Sequence, residues 1–518
     1  MEKFINQFKE HLTGILSGID RIMIKGYITD FYHNNNFYYF LNKEQVQLKD
    51  YKEYVLKTTS KIKESIEGII KQTGCRYQYL RNSENSKEEI ARGILLESNI
   101  TEGLVCVLSA VEPCYALSVI YNKQTCKLEK HNEYRKCQHY YFYYNDKELG
   151  LMHIRLQTWF PFSIQIYLNG KEYLKRQLEK ENIKFTSYDN SVTWVEDIER
   201  AQLIADKFIE KKWYSTFDNF AVKINSFLPR IKEIFNGHVY QWYVEQCEYA
   251  TDVMFKEREQ LSLLMPKFIE YASLCQMGDD VFTFFGRNVH GLCKGEAVSD
   301  RKHFFGQGFR VKFKLDRNSI KLYDKSNVLR VETTINNPGA FKVSAPQNKK
   351  KWAPMGKSIA NLYRYAEVSK ACNERYLNSL AEVNPTSLLT GKIGEISCPI
   401  ETKLSARSQN QRRFSGFNLL SNFNCKVFEA INGGAFSIRG FTNRIIRGQL
   451  IEFGVFLKDT FSDKQLSNRV TRLLAKLRAH KLITKIPKTA RYRVSHLGAQ
   501  IISQILLFKK QEMIFKIC

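Results

Sequence analysis

The hydrophobic and polar positions near the start of the chain follow two different periods. A period of two is typical of strands with one buried face, whereas apolar residues at every third or fourth position indicate a helix with one apolar side. The elements that this pattern predicts are a strand over residues 21–28, a helix over 43–72, a strand over 75–80, a helix over 88–97 and a strand over 104–111. Strands that alternate with helices in this order predict an α/β unit with a partly parallel sheet.

The segments around this unit have other patterns. Residues 1–18 mix charged and apolar positions as an amphipathic helix does, and Ser86 with Glu89 forms a capping box ahead of the helix over 88–97. Strand patterns from residue 116 to residue 168, separated by turn residues, predict an antiparallel β-meander. Two helical connectors, over 170–181 and 196–227, then lead to a second strand-rich region over 239–335.

The segment from residue 462 to residue 510 has a helix, a short hairpin and a closing helix in its pattern. The first helix has an apolar face made of Leu466, Val470, Leu473 and Leu477. Strands over 482–486 and 491–494 are joined by a short turn, Ser495 is placed to cap the closing helix, and a further helix is predicted over 441–450. This order resembles the winged helix-turn-helix superfamily.

Basic residues are concentrated in the same segment. Between residues 464 and 516 there are 13 Lys or Arg and one acidic residue. The resemblance therefore implies a surface that faces a nucleic acid, and a protein-docking or dimerisation module is the alternative. The side chains expected to contact nucleic acid are Arg469, Arg472, Lys476, Lys485, Lys488, Arg491 and Arg493.

The fold class that these patterns predict is α+β (mixed α/β) and multidomain. Two stretches have the composition of linkers, 345–356 with NKKKW and two prolines, and the polar, basic 390–415. The predicted domains are an α/β domain with an antiparallel meander (1–195), a helical connector with an α+β domain (196–345), a helix with a basic linker (346–429) and the winged helix-turn-helix (430–518).

The charge of the whole chain also favours a polyanionic partner. Of 518 residues, 79 are Lys or Arg and 53 are Asp or Glu, which gives a net charge of +26. Phosphate backbones favour such a surface because each neutralised phosphate releases condensed counterions. We therefore expect a nucleic-acid partner, with DNA favoured over RNA.

Composition also limits the cofactors and the compartment. The 12 cysteines show no CxxC spacing, so the sequence predicts free thiols, a cytoplasmic location and no zinc. No apolar run of 18 residues is present, which predicts no membrane partner, and no phosphate-binding glycine loop is present, which predicts no nucleotide cofactor.

A candidate catalytic hairpin lies in three strand-like runs between residues 308 and 338. Alternation places Tyr323 and Lys325 on one face of the middle run, and Arg330 and Glu332 on one face of the last run, so a hairpin brings the four together. The pattern KLYDK followed by LRVE is similar to one in rolling-circle replication initiators of phages and plasmids, which nick DNA with a tyrosine. The sequence departs from that family because it lacks a His-hydrophobe-His motif.

The resemblance implies roles for these residues. Glu332 would bind a divalent metal, Mg²⁺ or Mn²⁺, and Lys325 or Arg330 would offset charge on the scissile phosphate. Glu248 and His153 are further candidate ligands; Asp252 shares a strand face with Glu248, and both acids are equally consistent with ordinary exposed charges. The candidate nucleophiles are Tyr323 and Tyr376, with Tyr363 and Tyr365 on the same predicted helix as Tyr376.

Two other classes of function stay open. An RNase H-like two-metal nuclease would use Asp20, expected just before the first strand, and Glu112, expected just after the strand over 104–111. A non-catalytic DNA- or RNA-binding regulator would use the KLYDK hairpin only to grip phosphates. The aromatic clusters over 31–40 and 139–144 are either core or stacking platforms for bases. The leading prediction is a mobile-element or replicon protein that nicks DNA in a replication initiator or transposase-like manner.

Overall fold

The structure of the chain is a computed structural model. It describes residues 1–81, 86–237, 240–274, 276, 278–287, 298–304, 308–345, 348–383, 394–402, 411–419, 421–432, 440–456, 461–487 and 489–515. The described chain is mixed α+β, which confirms the predicted fold class.

Strands and helices are interspersed from one end of the chain to the other. The strands are β1 Leu12–Ile28, β2 Arg76–Tyr79, β3 Gly103–Asn122, β4 Lys127–Asp146, β5 Gly150–Gln157, β6 Ile164–Asn169, β7 Phe185–Tyr188, β8 Ser191–Val195, β9 Tyr240–Phe255, β10 Val298–Phe304, β11 Gly308–Leu315, β12 Asn318–Lys325, β13 Val328–Ile335, β14 Lys342–Ala345, β15 Asn348–Pro354, β16 Ile400–Thr402, β17 Arg412–Phe414, β18 Ile483–Lys485 and β19 Tyr492–Val494. The main helices are α1 Glu2–Phe8, α2 Asn34–Lys43, α3 Tyr51–Thr73, α4 Lys87–Glu97, α5 Gly170–Lys180, α6 Ile198–Glu210, α7 Trp213–Ile224, α8 Leu228–Phe235, α9 Arg258–Leu274, α10 Gly278–Phe284, α11 Leu362–Leu380, α12 Asn422–Ile431, α13 Asn443–Glu452, α14 Asp463–Ala479 and α15 His496–Phe515.

The chain divides into two units, and each is assembled from separated stretches. The middle unit comprises Gly14–Met254 and Glu332–Lys370, and the terminal unit comprises Met1–Thr13, Phe255–Val331 and Ala371–Cys518. Four consecutive domains were expected from the sequence instead. Long-range strand pairing explains the difference, because β13 returns far along the chain to lie beside β9.

The middle unit is built on one large sheet. Its strand order is β13, β9, β1, β6, β5, β4, β3 and β2, to which residues 332–335 of β13 contribute. The run from β3 to β6 is the predicted antiparallel meander, and β2 pairs with β3 in parallel. The capping box at Ser86 and Glu89 is also confirmed.

Strand β1 is longer than predicted, and it lies between β9 and β6 in the sheet. The helix expected over residues 1–18 ends at Phe8, and the chain is already a strand from Leu12. A Cβ atom on Gly14 would lie 3.1 Å from Ile198, and one on Gly18 would lie 3.3 Å from Ala205. The two glycines therefore let α6 approach this strand closely.

The aromatic cluster over residues 31–40 forms core in the middle unit. Phe31 and Phe40 are fully buried, and the Phe31 ring lies 5.3 Å from that of Phe160 and 5.7 Å from that of Phe235. Edge-to-face contacts of this kind stabilise an aromatic core. These two rings are therefore packing residues, and most of the cluster over 139–144 is buried as well.

The linker expected over residues 345–356 is largely a strand. Asn348–Pro354 is β15, which pairs with β14 through Val343 and Ala353. Backbone hydrogen bonding thus overrides the loop-like composition. The second expected linker, 390–415, is described only over 394–402 and 411–415, and these parts include the paired strands β16 and β17.

The terminal unit contains the strand order β10, β11, β12 and β13, of which residues 328–331 of β13 belong to it. Its C-terminal part has α13, α14, the β18–β19 hairpin and α15 in the order that the sequence predicts. Buried apolar residues of all three helices form one core, among them Ile446, Leu466, Val470 and Ile502. The Ser495 hydroxyl accepts a hydrogen bond from the Gly498 amide at 2.9 Å and so caps α15.

Gly170 offers a direct test of how tightly α5 is packed. A Cβ atom there would lie 2.2 Å from the backbone oxygen of Ile19 in β1, so Gly170→Ala forces the helix away from the strand. We expect a loss of about 1–3 kcal/mol of unfolding free energy. Thermal and urea unfolding measure it. Gly68→Ala is the control, because Gly68 is exposed in α3 with open space around it, and it should be neutral or stabilising.

Candidate metal centre

Three carboxylates converge in the middle unit, one from each of three neighbouring strands. Asp20 lies in β1, Glu248 in β9 and Glu332 in β13, and each offers a carboxylate oxygen within 4.8 Å of the other two. Asp20 and Glu332 are 3% and 2% exposed, and Glu248 is half-buried. Carboxylates this close repel one another, and a divalent cation between them offsets that repulsion. Their oxygens are the ligand type that Mg²⁺ and Mn²⁺ prefer.

A chain of amide hydrogen bonds holds Asp20 in place. The Asn190 Nδ2 donates to Asp20 Oδ1 at 2.6 Å, and the Asn169 Nδ2 donates to Asn190 Oδ1 at 2.8 Å. Asn169 also caps α5, because its Oδ1 accepts the backbone N–H groups of Lys171 and Glu172. The start of α5 therefore orients Asp20, as outer partners commonly orient the ligands of a metal.

The two glutamates have polar neighbours on their own strands. The Gln246 Nε2 donates to Glu248 Oε1 at 2.9 Å, and the Thr334 hydroxyl lies 3.5 Å from Glu332 Oε1. Each partner is two residues from its glutamate, on the same strand. Each glutamate therefore has a polar side chain next to it on the same face of its own strand, β9 or β13.

A buried ion pair involves a residue of β9 that is close in sequence to Glu248. The Lys171 Nζ is 2.7 Å from Asp252 Oδ2, and both side chains are at most 2% exposed. Asp252 follows Glu248 by four residues on β9, and Lys171 is in the first turn of α5. Solvated charges were one expectation for Glu248 and Asp252 from the sequence, but Asp252 is buried because Lys171 neutralises it.

Arg21 carries positive charge close to the carboxylates. Burial disfavours its charged form, but Tyr167, Asp20 and Glu248 outweigh burial and raise the pKa of Arg21. Burial also raises the pKa of Tyr167, whose buried hydroxyl has no hydrogen-bond partner among the described residues. Tyr167 pairs with Met23, so Tyr167 and Arg21 share the face of the sheet opposite to that of Asp20.

The predicted metal residues divide into two groups. Glu332 and Glu248 lie together, and they are joined by Asp20, which the sequence assigned to a different hypothesis and placed before the strand rather than within it. His153 is not part of this group. Its ring stacks on that of Tyr167 at 5.1 Å, and burial lowers the pKa of His153 to about 3.

Glu112, the other acid of the RNase H-like hypothesis, belongs to a separate network. It lies within β3 and not after a strand, and it accepts hydrogen bonds from the Tyr141 hydroxyl and ion-pairs with Lys87 and Arg155. Burial pushes the pKa of Glu112 upward, but the hydrogen bonds from Tyr141 and Lys87 outweigh burial and leave it lowered. The cations already satisfy this carboxylate.

The candidate nucleophiles differ in accessibility. Tyr376 is fully buried, with its ring 4.7 Å from that of Phe284, so it is a core residue and not an accessible nucleophile. Tyr365 is fully buried too, whereas Tyr363 is 43% exposed. Packing of α11 explains this, because the apolar body of a buried tyrosine fills the core.

The residues of the hairpin that were predicted to contact phosphate also differ in their exposure to solvent. Tyr323 is half-buried in β12, and the Lys325 Nζ lies 5.9 Å from its ring centre. Arg330 is fully buried within β13, so the structure does not present it to solvent as a phosphate contact. Every residue of β13 is buried, which means that both faces of this strand are covered.

A cavity of about 580 Å³ in the middle unit was not predicted from the sequence. Its lining combines three cationic side chains with several tyrosine rings, namely Lys25, Arg155 and Lys357 with Tyr27, Tyr32, Tyr115, Tyr134 and Tyr243. Burial lowers the pKa of Lys25 and raises that of Tyr27. The sequence signal was the alternation of Arg21, Lys25 and Tyr27 with apolar residues in β1.

The predicted nucleic-acid residues of the terminal unit also divide. Arg469, Arg472 and Lys485 are exposed. Lys476 is engaged in packing, because its Nζ donates to the Gly416 carbonyl at 2.9 Å and lies over the Phe417 ring. Arg491 and Arg493 are half-buried, the first donating to the Gly440 carbonyl, and Lys488 lies outside the described residues.

No protein family, curated protein or solved structure matches the chain. Within the described ranges, every helix is too short or too polar to cross a membrane.

The Lys171–Asp252 pair can be tested by a double-mutant cycle. Lys171→Met leaves a buried carboxylate uncompensated, so we expect a loss of about 3–5 kcal/mol of unfolding free energy. Lys171→Met combined with Asp252→Leu removes both charges and should recover most of that loss. Urea unfolding of the wild type, both single variants and the double variant measures the coupling. Additive effects of the two substitutions would show that the charges do not interact.

Proposed function

We propose that this chain is a metal-dependent enzyme that cleaves phosphodiester bonds in nucleic acid, with Asp20, Glu248 and Glu332 holding Mg²⁺ or Mn²⁺. The observation that carries the proposal is the convergence of these carboxylates from three neighbouring strands. The hydrogen-bond chain from α5 supports it, because a ligand set needs fixed side-chain orientations.

The bound ion would polarise the scissile phosphate and lower the pKa of an attacking water. In the hydrolytic reaction, water adds to phosphorus, one P–O ester bond breaks, and the leaving oxygen takes a proton. The residues of the chain hold the ion and orient the phosphate.

The cavity of about 580 Å³ in the middle unit suits an unpaired stretch of nucleic acid. Cations contact phosphates and tyrosine rings stack on unpaired bases, and the cavity lining combines both groups. Lys25 lies five residues after Asp20 in β1, so the two side chains project to opposite faces of the sheet. The cavity would therefore bind a stretch of the polymer away from the scissile phosphate at Asp20.

The C-terminal segment would position the enzyme on its substrate. Its element order matches that of the winged helix-turn-helix domains that the sequence resembles, and Arg469, Arg472 and Lys485 are exposed there. Exposed basic residues on such a segment suit a phosphate backbone, and the excess of positive charge over the whole chain adds to the attraction. DNA is the polymer that we favour.

The tyrosine-nicking alternative receives less support. Of its two candidate nucleophiles, Tyr376 is fully buried and Tyr323 is half-buried. Hydrolysis needs no tyrosine, so the carboxylate group suffices for the proposed reaction. A regulator without catalysis has no use for three carboxylates held within 4.8 Å of one another, although it would share the exposed basic residues.

The first test measures cleavage. Purified protein is incubated with labelled single-stranded and duplex DNA, and with RNA, in the presence of Mg²⁺ or Mn²⁺. We expect cleavage that stops on chelation, and Asp20→Asn or Glu332→Gln should reduce its rate more than about a hundredfold, because even outer partners of a metal cost 10–100-fold. Glu64→Gln, at an exposed position of α3, is the matched control and should keep full activity.

The outcomes separate the three classes. Protein found covalently attached to the cleaved strand, and lost in Tyr323→Phe, would replace hydrolysis with tyrosine nicking. Tight, salt-sensitive binding without any cleavage would indicate a regulator. Cleavage that survives both carboxylate substitutions would refute the proposed centre.

A second test concerns the basic segment. We expect Arg472→Ala and Lys485→Ala each to lower the slope of log binding constant against log salt by about 0.9 on duplex DNA, because each removes one phosphate contact. Fluorescence anisotropy over a salt series measures the slope. Lys61→Ala, an exposed lysine of α3, should leave the slope unchanged. Lys476→Met should lower the melting temperature, since Lys476 packs on Phe417. It should change the slope less than Arg472→Ala or Lys485→Ala does.

A further inference from the structure

A second group of metal-ligating side chains lies in the middle unit, on the β3–β4 hairpin. Cys114 comes from β3, and Cys137 and His139 come from β4. The two sulfurs are 2.8 Å apart, and one ligand atom from each residue lies within 4.8 Å of those from the other two. Cys114 is 6% exposed, Cys137 8% and His139 0%. All three are thus buried together.

Strand register brings these residues onto one face. Directly opposite pairs in the hairpin are Ala110 with His139 and Cys114 with Arg135. Because side chains alternate along a strand, residues separated by two positions share a face, so the three ligating side chains point the same way. Two thiols and one imidazole in this arrangement are the donors of a borderline-soft metal, unlike the oxygen donors of Asp20, Glu248 and Glu332.

His139 is already oriented as a metal-ligating histidine usually is. Its Nδ1 lies 3.1 Å from the Cys137 carbonyl oxygen, an acceptor that fixes the tautomer with hydrogen on Nδ1. That tautomer leaves the lone pair on Nε2, which is buried and has no hydrogen-bond partner among the described residues. A buried lone pair without a donor is costly unless a ligand occupies it.

We propose that Cys114, Cys137 and His139 bind one Zn²⁺ ion. Zn²⁺ is bound in tetrahedral geometry by thiolate and imidazole, and sites with three protein ligands keep a fourth position for water or substrate. Cys114 also lines the cavity of about 580 Å³, so one ligand of the site adjoins that cavity. The site is independent of the proposed nuclease activity.

The test uses the full chain, stripped with a chelator under reducing conditions. Zn²⁺ is titrated in competition with a colorimetric chelator, and one equivalent should bind. Co²⁺ in place of Zn²⁺ should give thiolate charge-transfer absorption and the intense visible bands of a tetrahedral centre. Cys137→Ser and His139→Gln should lose the equivalent and the bands. Cys106→Ser is the matched control, since Cys106 is a fully buried cysteine of the same strand as Cys114, and it should bind as the wild type does.

A second measurement avoids any dependence on the folding of the variants. Wild-type protein is treated with an alkylating reagent with and without Zn²⁺, and labelled peptides are identified by mass spectrometry. Zn²⁺ should protect Cys114 and Cys137 by at least tenfold in rate, while the exposed Cys126 reacts equally in both samples. Asp20→Asn should leave the protection unchanged, which distinguishes this site from the carboxylate group.

Three results would overturn the proposal. The first is the absence of a bound equivalent in the wild type. The second is equal alkylation of Cys114 with and without Zn²⁺. The third is a disulfide between Cys114 and Cys137 that reforms after reduction and removal of the reductant even when Zn²⁺ is present, because the pair would then be a redox couple and not a ligand set.

Discussion

The attachment of the first turn of α5 to the sheet is the constraint on which the middle unit depends. Three interactions hold the helix at this point. Gly170 lets the helix contact the backbone of β1, and Lys171 forms an ion pair with Asp252 in β9. Asn169 connects the start of the helix to Asp20 through hydrogen bonds with Asn190. A charge is tolerated in a sheet interior only when a partner compensates it. The helix therefore supplies both the packing and the polar partners that let carboxylates lie between strands.

The residue types of the candidate centre could be predicted from the sequence, but their grouping could not. Alternation along a strand was enough to select Glu332 and Glu248, since strand periodicity is local. Asp20 was selected for another hypothesis, because nothing local tells which strands become neighbours when β13 and β1 are some 300 residues apart along the chain. The burial of Tyr376 and Arg330 could not be foreseen either, because it depends on which face of each element the rest of the chain covers.

Elements that are specified by a few particular residues, such as caps and turns, were predicted more reliably than elements judged from the overall composition of a stretch. The capping box at Ser86 and the meander from β3 to β6 were both found, since caps and turns are specified by a few residues. The stretch over 345–356 was misjudged because its basic, proline-containing composition is typical of a loop, while pairing with β14 makes it a strand. Likewise, no CxxC spacing points to Cys114 and Cys137 in the sequence. They are 23 positions apart, and the pairing of β3 with β4 brings them together.

The length of the β3–β4 hairpin has a consequence for how the chain reaches its native state. Its pairing extends over twenty residues of each strand and contains an irregularity between Leu104 and Cys106, so slipped alignments compete with the correct one. A slip by one position would turn one sulfur to the opposite side of the ribbon. An ion that needs Cys114 and Cys137 together would bind only the correctly aligned ribbon, and would thereby draw the folding population away from its misaligned forms.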